Sequence, residues 1–200
     1  MLASRPERRD YLISKSLSYL LRHGAVKEKL PIDSQGWIPV DAVLRNNRLK
    51  SVAATWADIE RIVATNDKQR FQLKTENERI FICANQGHTL SQVTPDLEPL
   101  TVSTMPANVY HGTYANKLSL IEKEGLRRMS RNHIHMTSNA DWSVLGIRKH
   151  CSVLIYIDTT RCIEDGYEFW RSANGVILCK GDESGCIPLK YFRKIERLQI

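Results

Sequence analysis

Leu12 to Gly24, LISKSLSYLLRHG, constrains this chain more than any other stretch. Ile13, Leu17, Leu20 and Leu21 recur with the period of an α-helix and not of a strand, so they define one apolar face that needs a core to cover it. Lys15, Ser18 and Arg22 take the opposite face, with His23 at its edge. Asp10 is the expected N-cap, and Gly24 is the expected stop in a left-handed turn. Cations in a last turn oppose the negative end of the helix dipole, so Arg22 and His23 alone read as a cap.

Two hundred residues with 42% hydrophobic composition can bury one large core or two small ones. The formal charge of +7 favours a polyanionic partner without naming it. No apolar run has membrane-spanning length, and MLASRPERRD lacks the apolar centre of a signal peptide. A soluble, intracellular protein is expected, cytoplasmic or nuclear. Arg5, Arg8 and Arg9 are too sparse to form a localisation signal. The five cysteines show no CxxC spacing, which points to neither a disulfide framework nor a zinc site.

Along the chain, AVKEKLPIDSQGWIPV reads as a loop ending in a short extended segment at Trp37 and Ile38. Pro39 is placed as the first residue of a second helix, VDAVLRNN. A third helix spans about Thr55 to Thr65, with Thr55 as its cap and Trp56, Ile59, Ile62 and Val63 at helical spacing. Phe71 and Leu73 alternate with polar residues and Ile80 to Ile82 form a second strand, giving a hairpin. Three helices followed by a hairpin is the order of a winged-helix domain, expected over residues 1–88. Residues 89–108, TLSQVTPDLEPLTVSTMPAN, read as a linker whose length permits a strand. Residues 109–200 follow as an α+β domain. Its strands are expected at VYHGT, HIHMT, CSVLIYID and GVILCKG, with one helix at ANKLSLIEKEG stopped by Gly125. IPLKYFRKIERLQI fits strand or helix equally.

Several residues could carry chemistry. His133 and His135 have strand spacing and point to one face, but no HExxH helix and no clear carboxylate or Cys partner accompanies them, so hydrogen bonding outranks metal binding. His111, Gly112 and Thr113 set a ring nitrogen, an approachable backbone and a hydroxyl at a strand end, which suits a ribose or diphosphate. Neither GxGxxG nor a P-loop is present. Arg70 in DKQRF and Arg131 in MSRNH each read as surface arginines when taken singly. With Arg22 and His23 they make three guanidiniums and an imidazole, side chains suited to clamping phosphate oxygens.

SKSLSYLLRHGAVKEKLPID, DKQRF, ANQGH, VYHGT, SRNHIHM, GIR and FWRSANGVIL, in this order from about Asp10 to Phe192, resemble the NAD-dependent RNA 2'-phosphotransferases of tRNA splicing. The resemblance implies an N-terminal winged-helix lobe and a C-terminal ADP-ribosyltransferase-like lobe. It implies RNA bearing an internal 2'-phosphate as substrate, NAD as co-substrate, no metal, no membrane, and a monomer. The phosphate attacks the nicotinamide ribose to give a 2'-phospho-ADP-ribosyl RNA. The ribose 2''-hydroxyl then attacks phosphorus, releasing 2'-hydroxyl RNA and ADP-ribose 1'',2''-cyclic phosphate. Arg22, His23 and Arg70 would hold the 2'-phosphate, and Arg131 would serve the second step. His111, Gly112, Thr113, His133 and His135 would line the NAD pocket, joined by Ser172 and Asn174. Arg148 is assigned there too, in a GIR string where the family pattern is GMR-like, a volume-conserving change.

RSANGV holds no Glu, where many protein-modifying ADP-ribosyltransferases carry one. A phosphomonoester, with a second pKa of about 6, is mostly dianionic at neutral pH and needs orientation more than deprotonation. Two other readings stand beside this one. A winged-helix nucleic-acid-binding module would bind polyanions without NAD, and an ADP-ribosyltransferase capping terminal phosphates would stop at the adduct. The HGT, Arg131 and HIH elements weigh against the first, and Arg131 weighs against the second.

Overall fold

Helix α1 runs from Arg5 to Tyr19 in the computed structural model, which describes residues 5–66, 68–138 and 151–198. It starts well before Asp10, with Pro6 in the first turn where a missing N–H costs nothing. Asp10 is therefore no cap. Its carboxylate instead pairs with Arg61, one oxygen lying 2.9 Å from Nη2. The four apolar residues of the stripe are fully buried, as their spacing requires. A single π-helical turn, Leu20–Gly24, continues the helix. Gly24 is not left-handed, and the next residue stays right-handed. A Cβ at Gly24 would collide with the Tyr19 ring, so close approach, not a turn, requires the glycine.

The chain divides into two compact units between Pro95 and Asp96. In the first, Ile38–Pro39 (β1) leads directly into Val40–Leu44 (α2), so Pro39 is the cap residue, one position before the helix. Asn47–Lys50 (α3) is a short helix capped by Asn46, too brief for periodicity to reveal. Trp56–Thr65 (α4) starts as expected at Thr55. Phe71–Glu76 (β2) and Arg79–Ala84 (β3) form the hairpin. Its loop residues Asn77 and Glu78 both have positive φ, which matches the twist of the strands they join. The antiparallel sheet has order β1-β3-β2 and aligns Ile38, Ile82 and Leu73 in one row. That row packs with the stripe of α1 and with Ile59 and Ile62 of α4.

Asp58 ties this unit together. Its backbone N–H donates to Thr55 Oγ1 at 3.3 Å, and its carboxylate accepts from the Thr55 N–H at 2.9 Å, a reciprocal cap. The Arg9 fork reaches both carboxylate oxygens at 2.7 Å and also donates to the carbonyls of Val52 and Ala53. Hydrogen bonding to Arg9, reinforced by Thr55, holds the carboxyl far below the usual carboxylate range although burial opposes it.

The second unit places Glu98–Leu100 (β4) inside the stretch expected as a linker. Tyr110–Thr113 (β5), Ala115–Glu124 (α5), Leu126–Arg127 (β6), Ile134–Met136 (β7) and Val153–Ile157 (β8) follow. Then come Thr159–Glu164 (α6), Phe169–Arg171 (β9), Ile177–Cys179 (β10) and Cys186–Ile187 (β11). The ambiguous last segment resolves into a 3-10 turn, Leu189–Tyr191, and the strand Phe192–Arg197 (β12). The sheets have orders β4-β9-β10-β7 and β12-β8-β5, with β11 paired to β6. Inward residues of β7, β8, β9 and β10 build one core, so the molecule is α+β. The five cysteines are free and buried, and burial pushes the thiols of Cys83, Cys162 and Cys179 up to about 12. Among the described residues no helix is long and apolar enough to cross a membrane.

Asp58→Ala removes half of the cap and the anion that Arg9 encloses, and should lower stability in urea unfolding by about 2 to 3 kcal/mol. Because folding depresses the Asp58 pKa, its contribution is complete above the ordinary value of 3.8 and drains as pH falls below it. The variant should therefore lose less stability than the wild type between pH 5 and pH 2.

Candidate functional site

In the first unit the π-turn sets Arg22 and His23 side by side where α1 ends. A π-turn spreads the backbone over more residues than an α-turn and is often found where a helix serves function. Leu20, Leu21 and Gly24 remain buried, whereas Arg22 is half-buried and His23 exposed. The Tyr19 ring that packs over Gly24 is covered in turn by the Arg48 guanidinium, 4.2 Å from its centroid. Arg48 Nε reaches Glu28 at 3.1 Å, and Glu28 also accepts from Asn46 at 3.2 Å.

The chain leaving β3, Ala84 to Thr89, connects this turn to Arg70. At one end the Thr89 N–H donates to the Arg22 carbonyl at 3.0 Å, and Thr89 Oγ1 lies 3.0 Å from His23 Nδ1. In the middle, the Arg22 side chain crosses Gly87, with its guanidinium carbon 3.6 Å from where a Cβ would stand. At the other end the Asn85 N–H donates to the Arg70 carbonyl at 3.0 Å, and Asn85 Nδ2 donates to the Gln69 carbonyl at 2.5 Å. Asn66 Oδ1 accepts from both the N–H and Nη1 of Arg70, at 3.2 and 3.1 Å. Gly87 is two residues from Asn85, so the Arg22 guanidinium lies within about 12 Å of the Asn85 Cα. The Arg22 guanidinium and the His23 ring thus meet a segment, ANQGHT, that carries no carboxylate, and the same segment holds the backbone of Arg70. The arrangement suits a multiply charged oxyanion.

In the second unit, His111 lies on β5 opposite Ile155 of β8. Tyr110 and Thr137 exchange backbone hydrogen bonds at 2.9 and 3.0 Å, which brings the end of β7 against β5. His111 Nδ1 then sits 2.8 Å from the His135 carbonyl. A carbonyl can only accept, so Nδ1 carries the proton and Nε2 is the acceptor nitrogen of the neutral ring. Gly112 and Thr113 are buried at the end of the same strand.

His135 lies between Ile134 and Met136, which both point into the core, so its side chain takes the other face of β7, whereas His133 precedes the strand. They differ in setting: His133 is buried edge-on against Trp170, with ring centroids 5.6 Å apart, and His135 is half-buried. Burial, with the nearby charges of Lys180 and Arg128, pushes the His133 pKa down to about 4. Among the described residues no group of three His, Cys, Asp or Glu side chains could hold a metal ion.

Arg131 is exposed, in a tight turn whose N–H donates to the Arg128 carbonyl at 3.2 Å. Ser172 and Asn174 are buried in the turn between β9 and β10. Ser172 Oγ is 2.7 Å from Asn174 Oδ1 and also receives the Val176 N–H at 3.1 Å, so the hydroxyl helps to build that turn. Arg148 lies outside the described residues.

Sequence reasoning passed over Asn66, Asn85 and Thr89, the groups that orient Arg70, Arg22 and His23. The glycine of ANQGH, placed directly after a strand, was the available signal for a turn there.

The His133 environment has a measurable consequence. Its folded pKa lies below the ordinary 6.5, so the unfolded chain binds more protons between those values and stability should fall as pH drops from about 6.5 towards about 4. In proton NMR titration the His133 ring should stay neutral down to about pH 5, and a midpoint above pH 6 would contradict the geometry.

Comparison with known proteins identifies the family. The family described as "RNA 2'-phosphotransferase, Tpt1 / KptA family" matches residues 8–181. The chain is 41% identical over 202 residues to tRNA 2'-phosphotransferase 1 of Danio rerio, covering 96% of this chain and 88% of that protein. It is 40% identical over 199 residues to tRNA 2'-phosphotransferase of Saccharomyces cerevisiae, with 94% and 84% covered. The human tRNA 2'-phosphotransferase 1 is 38% identical over 201 residues, with 98% and 79% covered. A match that takes in the RHG turn, the ANQGH segment, the HGT strand and the HIH strand shows that the chain belongs to the RNA 2'-phosphotransferases of the Tpt1/KptA family.

Proposed function

We propose that this transferase moves the internal splice-junction 2'-phosphate of ligated tRNA to NAD in two steps. The observation that carries this reading is the carboxylate-free segment Ala84 to Thr89, which meets the side chains of Arg22 and His23 and the backbone of Arg70. In the first step a phosphate oxygen bonds to C1'' of the nicotinamide ribose as the bond from C1'' to the ring nitrogen breaks, and nicotinamide leaves with that electron pair. In the second, the ribose 2''-hydroxyl loses its proton and attacks phosphorus. The bond from phosphorus to the RNA 2'-oxygen breaks, and that oxygen takes up a proton. The products are 2'-hydroxyl RNA and ADP-ribose 1'',2''-cyclic phosphate.

The chain's groups fit these demands. Arg22, His23 and Arg70 orient the dianionic phosphate, which needs no base to become a nucleophile. Arg131 stabilises charge on the phosphoryl oxygens when the adduct is resolved. His111 is held as the Nδ1–H tautomer by His135, so that Nε2 can accept from a ribose hydroxyl, and Gly112, Thr113 and His133 line the NAD pocket with it. Ser172 and Asn174 shape the turn where protein-modifying relatives carry a Glu. We read the first unit, helices against a sheet of order β1-β3-β2, as a winged-helix RNA-binding lobe, and the second as an ADP-ribosyltransferase-like lobe. The protein acts as a monomer in the nucleus or cytoplasm.

A single-turnover reaction of a short RNA carrying one internal 2'-phosphate tests the reading. NAD-dependent loss of the phosphate is expected from the wild type, and accumulation of ADP-ribosylated RNA from Arg131→Ala. RNA binding with no NAD-dependent product would leave a binding module. Arg22→Ala and Arg70→Ala each remove a charge-assisted hydrogen bond worth roughly 1.5 to 3 kcal/mol and should slow the first step about 10- to 150-fold. With about four phosphates contacted on a single strand, RNA affinity should fall roughly 50-fold from 50 to 200 mM salt. A two- or three-fold change would refute binding by four cations.

A further inference from the structure

We propose that Arg128 is the positioning residue for Arg131, locking the turn that presents it. The inference rests on the role given to Arg131 above. Arg128 grips the turn from both ends: its carbonyl accepts from the Arg131 N–H at 3.2 Å, and its Nη1 donates to the Arg131 carbonyl at 2.9 Å. Both backbone polar groups of Arg131 are thereby fixed by one residue. The turn needs such a lock, because Met129 lies in the left-handed region, at φ 57, without being glycine. Met129 is also 78% exposed, so its own packing does little to hold it there.

Arg128 is itself anchored. It follows β6 directly, and its N–H donates to the Gly185 carbonyl at 3.0 Å. Its aliphatic stem passes so close to Gly185 that a Cβ there would stand 2.9 Å from both Cγ and Cδ. Gly185 has φ +76 and sits in a loop tied by Asp182, whose Oδ1 accepts from the N–H groups of Ser184 and Cys186 at 2.9 and 3.0 Å. Arg131 is thus linked through Arg128 to a braced loop next to β11. A lysine at 128 keeps the stem but replaces the planar fork with a single ammonium point charge.

The two steps separate a lock on Arg131 from general support of the fold. In single-turnover assays with NAD and 2'-phosphorylated RNA, Arg128→Ala should leave adduct formation within about two-fold of wild type. Adduct resolution should slow about 5- to 30-fold, so that ADP-ribosylated RNA accumulates. Arg128→Lys should recover part of that loss. Gly185→Ala, which displaces the Arg128 stem without replacing either arginine, should give the same accumulation. The double variant Arg128→Ala with Arg131→Ala should be no slower than Arg131→Ala alone, since a residue acting through Arg131 has nothing left to hold. Equal slowing of both steps by all three single variants, or additive losses in the double variant, would overturn the proposal. If Arg131→Ala itself accumulates no adduct, the role given to Arg131 fails, and the additivity of overall rates still decides whether Arg128 acts through it.

Discussion

The hydrogen bond from the Thr89 N–H to the Arg22 carbonyl is the contact on which the rest of the first unit's chemistry depends. It is a backbone bond, so its geometry does not change with the side chains it serves. It couples the widened end of α1 to the segment that leaves the hairpin, and that segment also holds the Arg70 backbone through Asn85. Without this seam, the turn that carries Arg22 and His23 and the strand entrance that carries Arg70 would be separate elements. With it, their backbones share one frame, and only side-chain rotation remains to be restrained when an oxyanion arrives. Preorganisation of this kind is where an enzyme gains most when the nucleophile already carries its charge.

The second unit uses the same device with different parts. The exchange of backbone hydrogen bonds between Tyr110 and Thr137 joins strands from two sheets, and a carbonyl on one then dictates the tautomer of a histidine on the other. His133, one residue before β7, is kept neutral by burial and flanking cations. Two histidines spaced two residues apart therefore differ: His135 supplies a carbonyl that orients, and His133 supplies a ring that packs. In both units main-chain hydrogen bonds from a remote segment set the frame in which these side chains stand.

That remoteness explains what could and could not be read from the sequence. The stripe of α1, the Thr55 cap and the hairpin depend on neighbours within a few residues, and each stands where periodicity and cap chemistry put it. Asp10 misled because its partner, Arg61, is 51 positions away, and helix-start rules see only the following turn. Gly24 reads as a helix stop because a π-turn leaves no mark in a 3.6-residue period. The linker reading leaves room for a strand but cannot place β4, because its three residues, one of them proline, pair with β9 some seventy positions later. Motifs single out Arg22, His23, Arg70 and Arg131, whereas Asn66, Asn85 and Arg128, which contact them, look like ordinary polar surface.

The burial of every cysteine has a consequence of a different kind. Sulfur reacts as thiolate and only when a reagent can reach it, and in this fold both conditions are withheld. Alkylation of any of the five must therefore wait for local or global opening. Cys83 belongs to the first unit and the other four to the second, so each unit carries its own native thiol clock for opening, readable without introducing a new cysteine.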